Sequence, residues 1–305
     1  MTTPLFDKYI AIDWSAANTP KRGGDSIWLA TAYRATSRII VKPPENLPTR
    51  AAAMSRLKDL LGHNLKNARR TLVGLDFPFG YPQGSIGLIT GTRAGTMPPW
   101  RKLWSFLFEH VEDDDTNRSN RFDLADQINS ECFGEAVYWG RPRQKYFNCL
   151  PEKKEVGAVH QKHEFRRVER VQPPAKSVWQ LAYTGAVGSQ ALLGIARLEA
   201  LRRDPVFRPH LAIWPFETAF QEKLDRPILL AEIYPSMFKT QAKADEVRDA
   251  AQVRTVAHAL ARADRTHQGA RNMLQDWLSP PPHLAKRDLK AIVEEEGWIV
   301  GAGRV

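Results

Sequence analysis

Two stretches decide how this chain folds: Tyr9-Ile10-Ala11-Ile12-Asp13-Trp14-Ser15 and, about sixty residues later, Leu72-Val73-Gly74-Leu75-Asp76-Phe77-Pro78. Each is a short apolar run that ends in an aspartate. Runs of this length and composition read as buried strands. Two buried strands with carboxylates at their ends predict a carboxylate-lined, cation-dependent site.

The residues between them predict the topology. Residues 26–33 and 37–41 are strand-like, and Arg34-Ala35-Thr36 between them suits a hairpin. Pro43 and Pro44 close that unit. Residues 47–67 carry Leu47, Ala51, Met54, Leu57, Leu60 and Leu61 at helical spacing. The order is β-β-β-α-β. A right-handed crossover sets the fourth strand parallel to the first and beside it. Asp13 and Asp76 then share one end of the sheet.

From Gly80 to about Pro174 the alternation is lost, with Gly84, Gly87, Gly91, Gly95 and Pro98-Pro99 marking irregular chain. An aromatic helix is expected from Trp100 to Val111, another helix over residues 121–133, and a loop or short strand with a buried aromatic pair over 135–143. Asp113-Asp114-Asp115 reads as a solvated turn. Residues 177–203 predict a long helix or helix pair, whose Gly185, Gly188 and Gly194 mark close packing. Strands return at residues 210–214 and 228–234. The second is a near-continuous apolar run that contains Glu232, and a carboxylate there must be paired or bound to a cation. Residues 245–263 predict a helix with Val253, Val256, Ala257 and Leu260 inward. Asp249 falls on that same face, and Asp245 is the competing acid one turn earlier. The tail predicts a short helix at 284–296, with Trp298 covering the core.

Composition narrows the class. Hydrophobic residues make up 43% and charged residues 26%, the balance of a globular chain. No apolar run approaches the roughly 20 residues that span a bilayer. Residues 1–8 lack the layout of a secretion signal, which predicts a cytoplasmic protein with no membrane partner. The two cysteines, Cys132 and Cys149, make no disulfide framework, and Cys149 with His160 and His163 lacks zinc-site spacing. Lys and Arg outnumber Asp and Glu by 44 to 34, a net charge of +10 that favours polyanions such as nucleic acid. Residues 153–176 concentrate the basic excess. Arg166, Arg167 and Lys176 are its candidate phosphate contacts, and a solvated face paired with Glu164 and Glu169 is the alternative. Arg121 and Asn129 share a predicted helix face and are candidates to meet substrate or bind backbone. Ser15 is a candidate to orient a metal-bound water or to cap its turn.

Asp13, Asp76, Glu232 and Asp249 thus form the predicted catalytic and metal-binding set. Oxygen-only ligands favour Mg²⁺ or Mn²⁺. A two-metal carboxylate site of this kind hydrolyses phosphodiesters.

The motifs IDWSA (12–16), GLDFPFGYP (74–82), NRFDLADQIN (120–129), YWGRP (138–142), KSVWQL (176–181), GAVGSQ (185–190), WPFE (214–217), AEIYPS (231–236) and RDA (248–250) resemble a bacterial domain-of-unknown-function family of predicted nucleases in the ribonuclease H-like superfamily. The resemblance implies a single α/β domain over 1–305: a mixed sheet of five strands or slightly more with flanking helices, core about 8–80 and 205–262, a long, mostly helical insertion about 81–204 lying over the acidic edge, and a helical tail about 263–305. It also implies that the four acids are the metal ligands and that the activity is a Mg²⁺-dependent nuclease. Other readings are a phosphotransferase or nucleotide hydrolase on the same topology, and a non-catalytic nucleic-acid-binding protein. Against the phosphotransferase, Trp14 stands where a phosphate-binding turn calls for glycine.

Overall fold

The computed structural model describes residues 4–35, 38–91, 96–221, 224–268, 271–282 and 284–305. Thr36 in the expected hairpin turn, Ser37 at the start of the strand expected after it, and Gly95 of the irregular stretch lie outside the described residues.

β1 (Lys8–Asp13) pairs antiparallel with β2 (Ile27–Arg34), which pairs with both β3 (Ile39–Val41) and β4 (Glu45–Leu47). α1 (Arg50–Lys66) then crosses to β5 (Thr71–Leu75), parallel to β1. The sheet extends through β7 (Ile228–Glu232) to β6 (Leu211–Ile213), both parallel to β5. The order β3-β2-β1-β5-β7-β6, with β4 on β2, makes seven strands among the described residues. This is an α/β architecture with a mixed sheet and helices on both faces. No helix is long and apolar enough to cross a membrane among the described residues.

β4 was not foreseen. Leu47 belongs to it rather than to α1, because Pro48 intervenes and the Thr49 hydroxyl caps the helix by accepting from Ala52 N at 3.1 Å.

The apolar runs are continuous because both faces are covered. Ile10, Ile12, Val73, Leu75, Ile228 and Leu230 face α1 and two helices that precede β6. Between β5 and β6 the chain forms α2 (Ser85–Thr90), α3 (Pro99–His110), α4 (Arg121–Gln127), α5 (Ala158–His163), α6 (Arg167–Val171) and α7 (Gly188–Arg203). α3 brings Leu103 and Leu107, and α7 brings Leu192, Ile195 and Leu198, into the same cluster. The segment expected to lie over the acidic edge supplies core helices to one face of the sheet. Tyr9, Ala11, Leu72, Leu229 and Ala231 face the other way, onto Val253, Val256, Ala257 and Leu260 of α8 (Arg248–Ala263). Beyond α8, α9 (Met273–Trp277) and α10 (Lys286–Ala291) lead to Trp298, which is 1% exposed and covers this second core as expected.

Two helix boundaries differ from the sequence reading. Residues 177–187 do not join α7. They form turns around one isolated bridge between Gln180 and Trp139, with Leu181 N donating to Trp139 O at 2.9 Å. A Cβ on Gly188 would sit 2.3 Å from Val178 O, so the tight turn into α7 needs glycine. α8 begins at Arg248, and Asp245 sits upstream of it in an exposed turn at φ 61°. Of the two competing acids, only Asp249 is in the helix.

Gly194 lets α7 pack directly onto the segment that leaves β5. A Cβ there would lie 2.4 Å from the Phe77 ring. Replacing Gly194 with Val is expected to lower unfolding free energy by about 1–3 kcal/mol through overpacking, measured by chemical denaturation.

Candidate functional site

β1 and β5 end level with one another. Ile12 is opposite Leu75, and Asp76 N donates to Ile12 O at 3.0 Å. The next residue on each strand carries a carboxylate. The residue after that is aromatic: Trp14 and Phe77 pack together on the α7 face, tilted by 52° with ring centroids 5.7 Å apart, and both are buried. Side chains alternate across a strand, so pinning the two aromatics to one face turns Asp13 and Asp76 to the other, toward α8.

Both aspartates are partly exposed, yet the strand ends around them are dry. Burial pushes the Asp13 carboxyl well above the usual range, and Asp76, Asp249 and Asp25 push it further in the same direction. Burial, with Glu232 second, pushes Asp76 up to about 8. No hydrogen bond or ion pair from a described residue offsets either carboxylate.

Asp249 sits in the first turn of α8 and reaches toward the same place. Its carboxylate accepts from Asp25 N at 2.7 Å. Burial raises its pKa; the bond from the Asp25 N–H opposes that, the Asp25 charge adds to it, and Arg248 and Lys21 oppose it. This bond ties the β1–β2 loop to α8. Asp25 itself was not anticipated: it lies in a polar Gly-Gly-Asp-Ser turn, and only the folded loop brings it beside Asp13 and Asp249. Ser15 serves the same loop, its hydroxyl donating to Asp25 O and accepting from Ala17 N, each at 3.2 Å. That is the turn-capping alternative.

Glu232 is placed differently. It is opposite Leu75 in the register, so it points to the face of Ile12 and Leu75, away from Asp13 and Asp76. There Arg166 grips it with two bonds, at 2.8 and 2.7 Å, and Phe79 N donates to it at 3.1 Å. Of the two ways to tolerate a buried acid, the structure uses the ion pair for Glu232.

The same pairing redefines the basic candidates. Arg166 is 1% exposed and also binds Glu169 (2.6 Å) and the Glu296 carbonyl (2.8 Å). Arg167 binds Glu296, Asp288 and Gln83. Arg121 is buried against Ser189, Ser119 and Asn18. Asn129 is fully buried, donating to the Tyr138 and Cys149 carbonyls and accepting from Val137 N and Tyr138 N. As substrate contacts, Arg121, Asn129 and Arg166 are therefore corrected to internal braces, because they are buried and bonded within the protein. Lys176 alone of the group is fully on the surface. The Arg166–Glu169 spacing of three, from the N-cap to the third residue of α6, was the sequence signal for this brace.

Asp13, Asp76 and Asp249 are thus drawn together, and Glu232 stands behind them on the other face. Among the described residues, no three or more His, Cys, Asp or Glu side chains are already arranged as a metal cage.

Opposite stability effects should separate the two kinds of acid. Asp76 keeps its proton to about pH 8 when folded, whereas the unfolded chain releases it near pH 4. Stability should therefore fall as pH rises between those values and level off above them. Asp76→Asn should flatten that decline and raise the melting midpoint at pH 8.5, as followed by thermal denaturation. Glu232→Gln should instead lower stability by about 3 kcal/mol, the low end for breaking a buried pair, because Glu169 still faces Arg166. Comparisons with protein-family models, with curated proteins and with solved structures gave no match.

Proposed function

We propose that the chain is a metal-dependent nuclease, hydrolysing phosphodiester bonds in nucleic acid at the shared end of β1 and β5. The observation that carries this reading is the pair Asp13 and Asp76: desolvated, adjacent, and without a protein counter-charge in a chain of net charge +10. Such a pair ionises together only when a cation joins it. The strand order β3-β2-β1-β5-β7, followed by an acid-bearing α8, supports a ribonuclease H-like reading of the sheet.

The residues fit a hard cation. All the free ligands are carboxylate oxygens, which suit Mg²⁺ or Mn²⁺. Asp13 and Asp76 would hold it, and Asp249 is the third ligand within reach of their field. When bound, the ion supplies a water activated toward phosphorus and stabilises the leaving oxygen.

The chain's own residues do the rest. Asp13 and Asp76 release their protons as the cation enters. Asp249 holds the loop through Asp25, so the loop closes one side of the site. Glu232, fixed by Arg166, adds negative potential behind Asp76 without occupying the site. Trp14 is 2% exposed and packed on Phe77, which leaves no room for a phosphate-binding turn and weighs against the phosphotransferase reading.

The test is cleavage of single- and double-stranded DNA and RNA by purified protein with Mg²⁺ or Mn²⁺. Asp13→Asn and Asp76→Asn should each lose at least about 100-fold in rate, roughly 3 kcal/mol of barrier. Cleavage that persists equally in both variants, or in the presence of a chelator, sinks the proposal.

A further inference from the structure

The opposite end of the same sheet carries the opposite charge. β1 starts at Lys8, β5 starts at Thr71, and the antiparallel β2 ends at Arg34, so these residues share one edge. At roughly 3.3 Å per residue, Lys8 stands about 17 Å from Asp13 along β1. A cavity of about 690 Å³ opens at this edge, lined by Lys8, Arg34, Arg69 and Arg70, with Asp7 as its one acid.

The cations are poorly compensated. Asp7 is engaged by Arg70 N at 2.9 Å and only loosely by Arg69 at 3.5 Å. Lys8 lies 4.1 Å over the Tyr33 ring. Burial lowers its pKa, and Lys42 and Arg69 lower it further, so the positive charges here act on one another. The Arg34 side chain makes no hydrogen bond or ion pair with a described residue, and its Nε is buried. Asp264 feels its charge through space, but that carboxylate is already bonded to Tyr9, Asn272 and the Leu5 and Phe6 amides. Arg70 donates to the Leu224 carbonyl, but its Nε is also buried without an acceptor. Two guanidinium Nε–H groups are thus buried at this edge without an acceptor, beside an ammonium whose charge its neighbours disfavour.

We propose that this cavity is a phosphate-binding site, taking the phosphoryl group of a phosphate ester. Four cations against one acid leave a local charge of +3 (4 − 1), which a dianionic group matches better than a carboxylate. Guanidinium forks suit the several oxygens of a phosphoryl group. Phe6 and Tyr33 supply an apolar flank for whatever the phosphate is attached to. The site shares no residue with the carboxylate end and stands or falls separately from the nuclease reading. The 5′-phosphate end of a nucleic-acid strand and a small phosphate compound present the same dianionic group here, and the experiment separates them.

The full-length protein is titrated calorimetrically with inorganic pyrophosphate and with a 5′-phosphorylated oligonucleotide, at low salt and with chelator present. Arg34→Gln should weaken pyrophosphate binding at least about 10-fold, and Arg69→Ala should weaken it less. Lys286→Gln, which removes one exposed positive charge away from the cavity, should leave it unchanged. Loss of both probes in Arg34→Gln supports the site and identifies a strand; loss of pyrophosphate alone supports it and identifies a small phosphate. No pyrophosphate binding by wild type, equal pyrophosphate binding by wild type and Arg34→Gln, or an equal loss in Lys286→Gln overturns it. The melting midpoint without probe reports folding of Arg34→Gln. If that variant is unfolded, Arg69→Ala decides, and unchanged affinity there overturns the site.

Discussion

Two aspartates on adjacent parallel strands are pushed toward each other by the packing of the residues after them. Trp14 and Phe77 are large, apolar and buried against each other, Phe77 also against Gly194 of α7, and neither can exchange faces without emptying the core. The alternation of a strand then leaves Asp13 and Asp76 no other direction. Their mutual repulsion and desolvation oppose folding. Core burial on both faces of β1 and β5 outweighs that, so the strain is held where the chain exposes it to solvent. α8 and the Asp25–Asp249 bond shape the opening around the pair.

The sheet solves the same electrostatic problem differently one strand away. Glu232 is as buried as its apolar neighbours, but its charge is met by the two-pronged grip of Arg166, itself braced by Glu169 and the Glu296 carbonyl. That brace links β7, α6 and the C-terminal tail. Removing one partner strands the other charge in the interior, whereas removing a charge from the aspartate pair relieves it. Glu232 thus belongs to the framework with its charge met, while the aspartate pair is left without a counter-charge, a division that residue types alone do not contain.

Much of this was legible in the chain. Apolar runs gave the strands, and the β-β-β-α-β order gave the parallel placement of β1 and β5 and so the meeting of Asp13 with Asp76. Helical periodicity placed Asp249 on the inward turn of α8. Glu232 resisted because register, not composition, decides which face a strand residue takes, and one step separates the two outcomes. Arg121, Asn129 and Arg166 resisted because a polar side chain with internal partners and one facing solvent look alike in sequence. Asp25 and the cationic edge at Lys8 and Arg34 are assembled from segments far apart in the chain, which no local pattern reports.

The resulting molecule has a polar sheet, with uncompensated acids at one end and poorly compensated cations at the other. The central claim is that Asp13 and Asp76 wait, partly protonated, for a cation. Calorimetric titration of the wild-type protein with Mn²⁺ at pH 7, repeated in buffers of different ionisation enthalpy, tests it most directly. The account predicts binding accompanied by proton release, so that the measured heat changes with the buffer, and loss of both in Asp76→Asn. Absence of binding, or binding that releases no protons and survives Asp76→Asn unchanged, would contradict it.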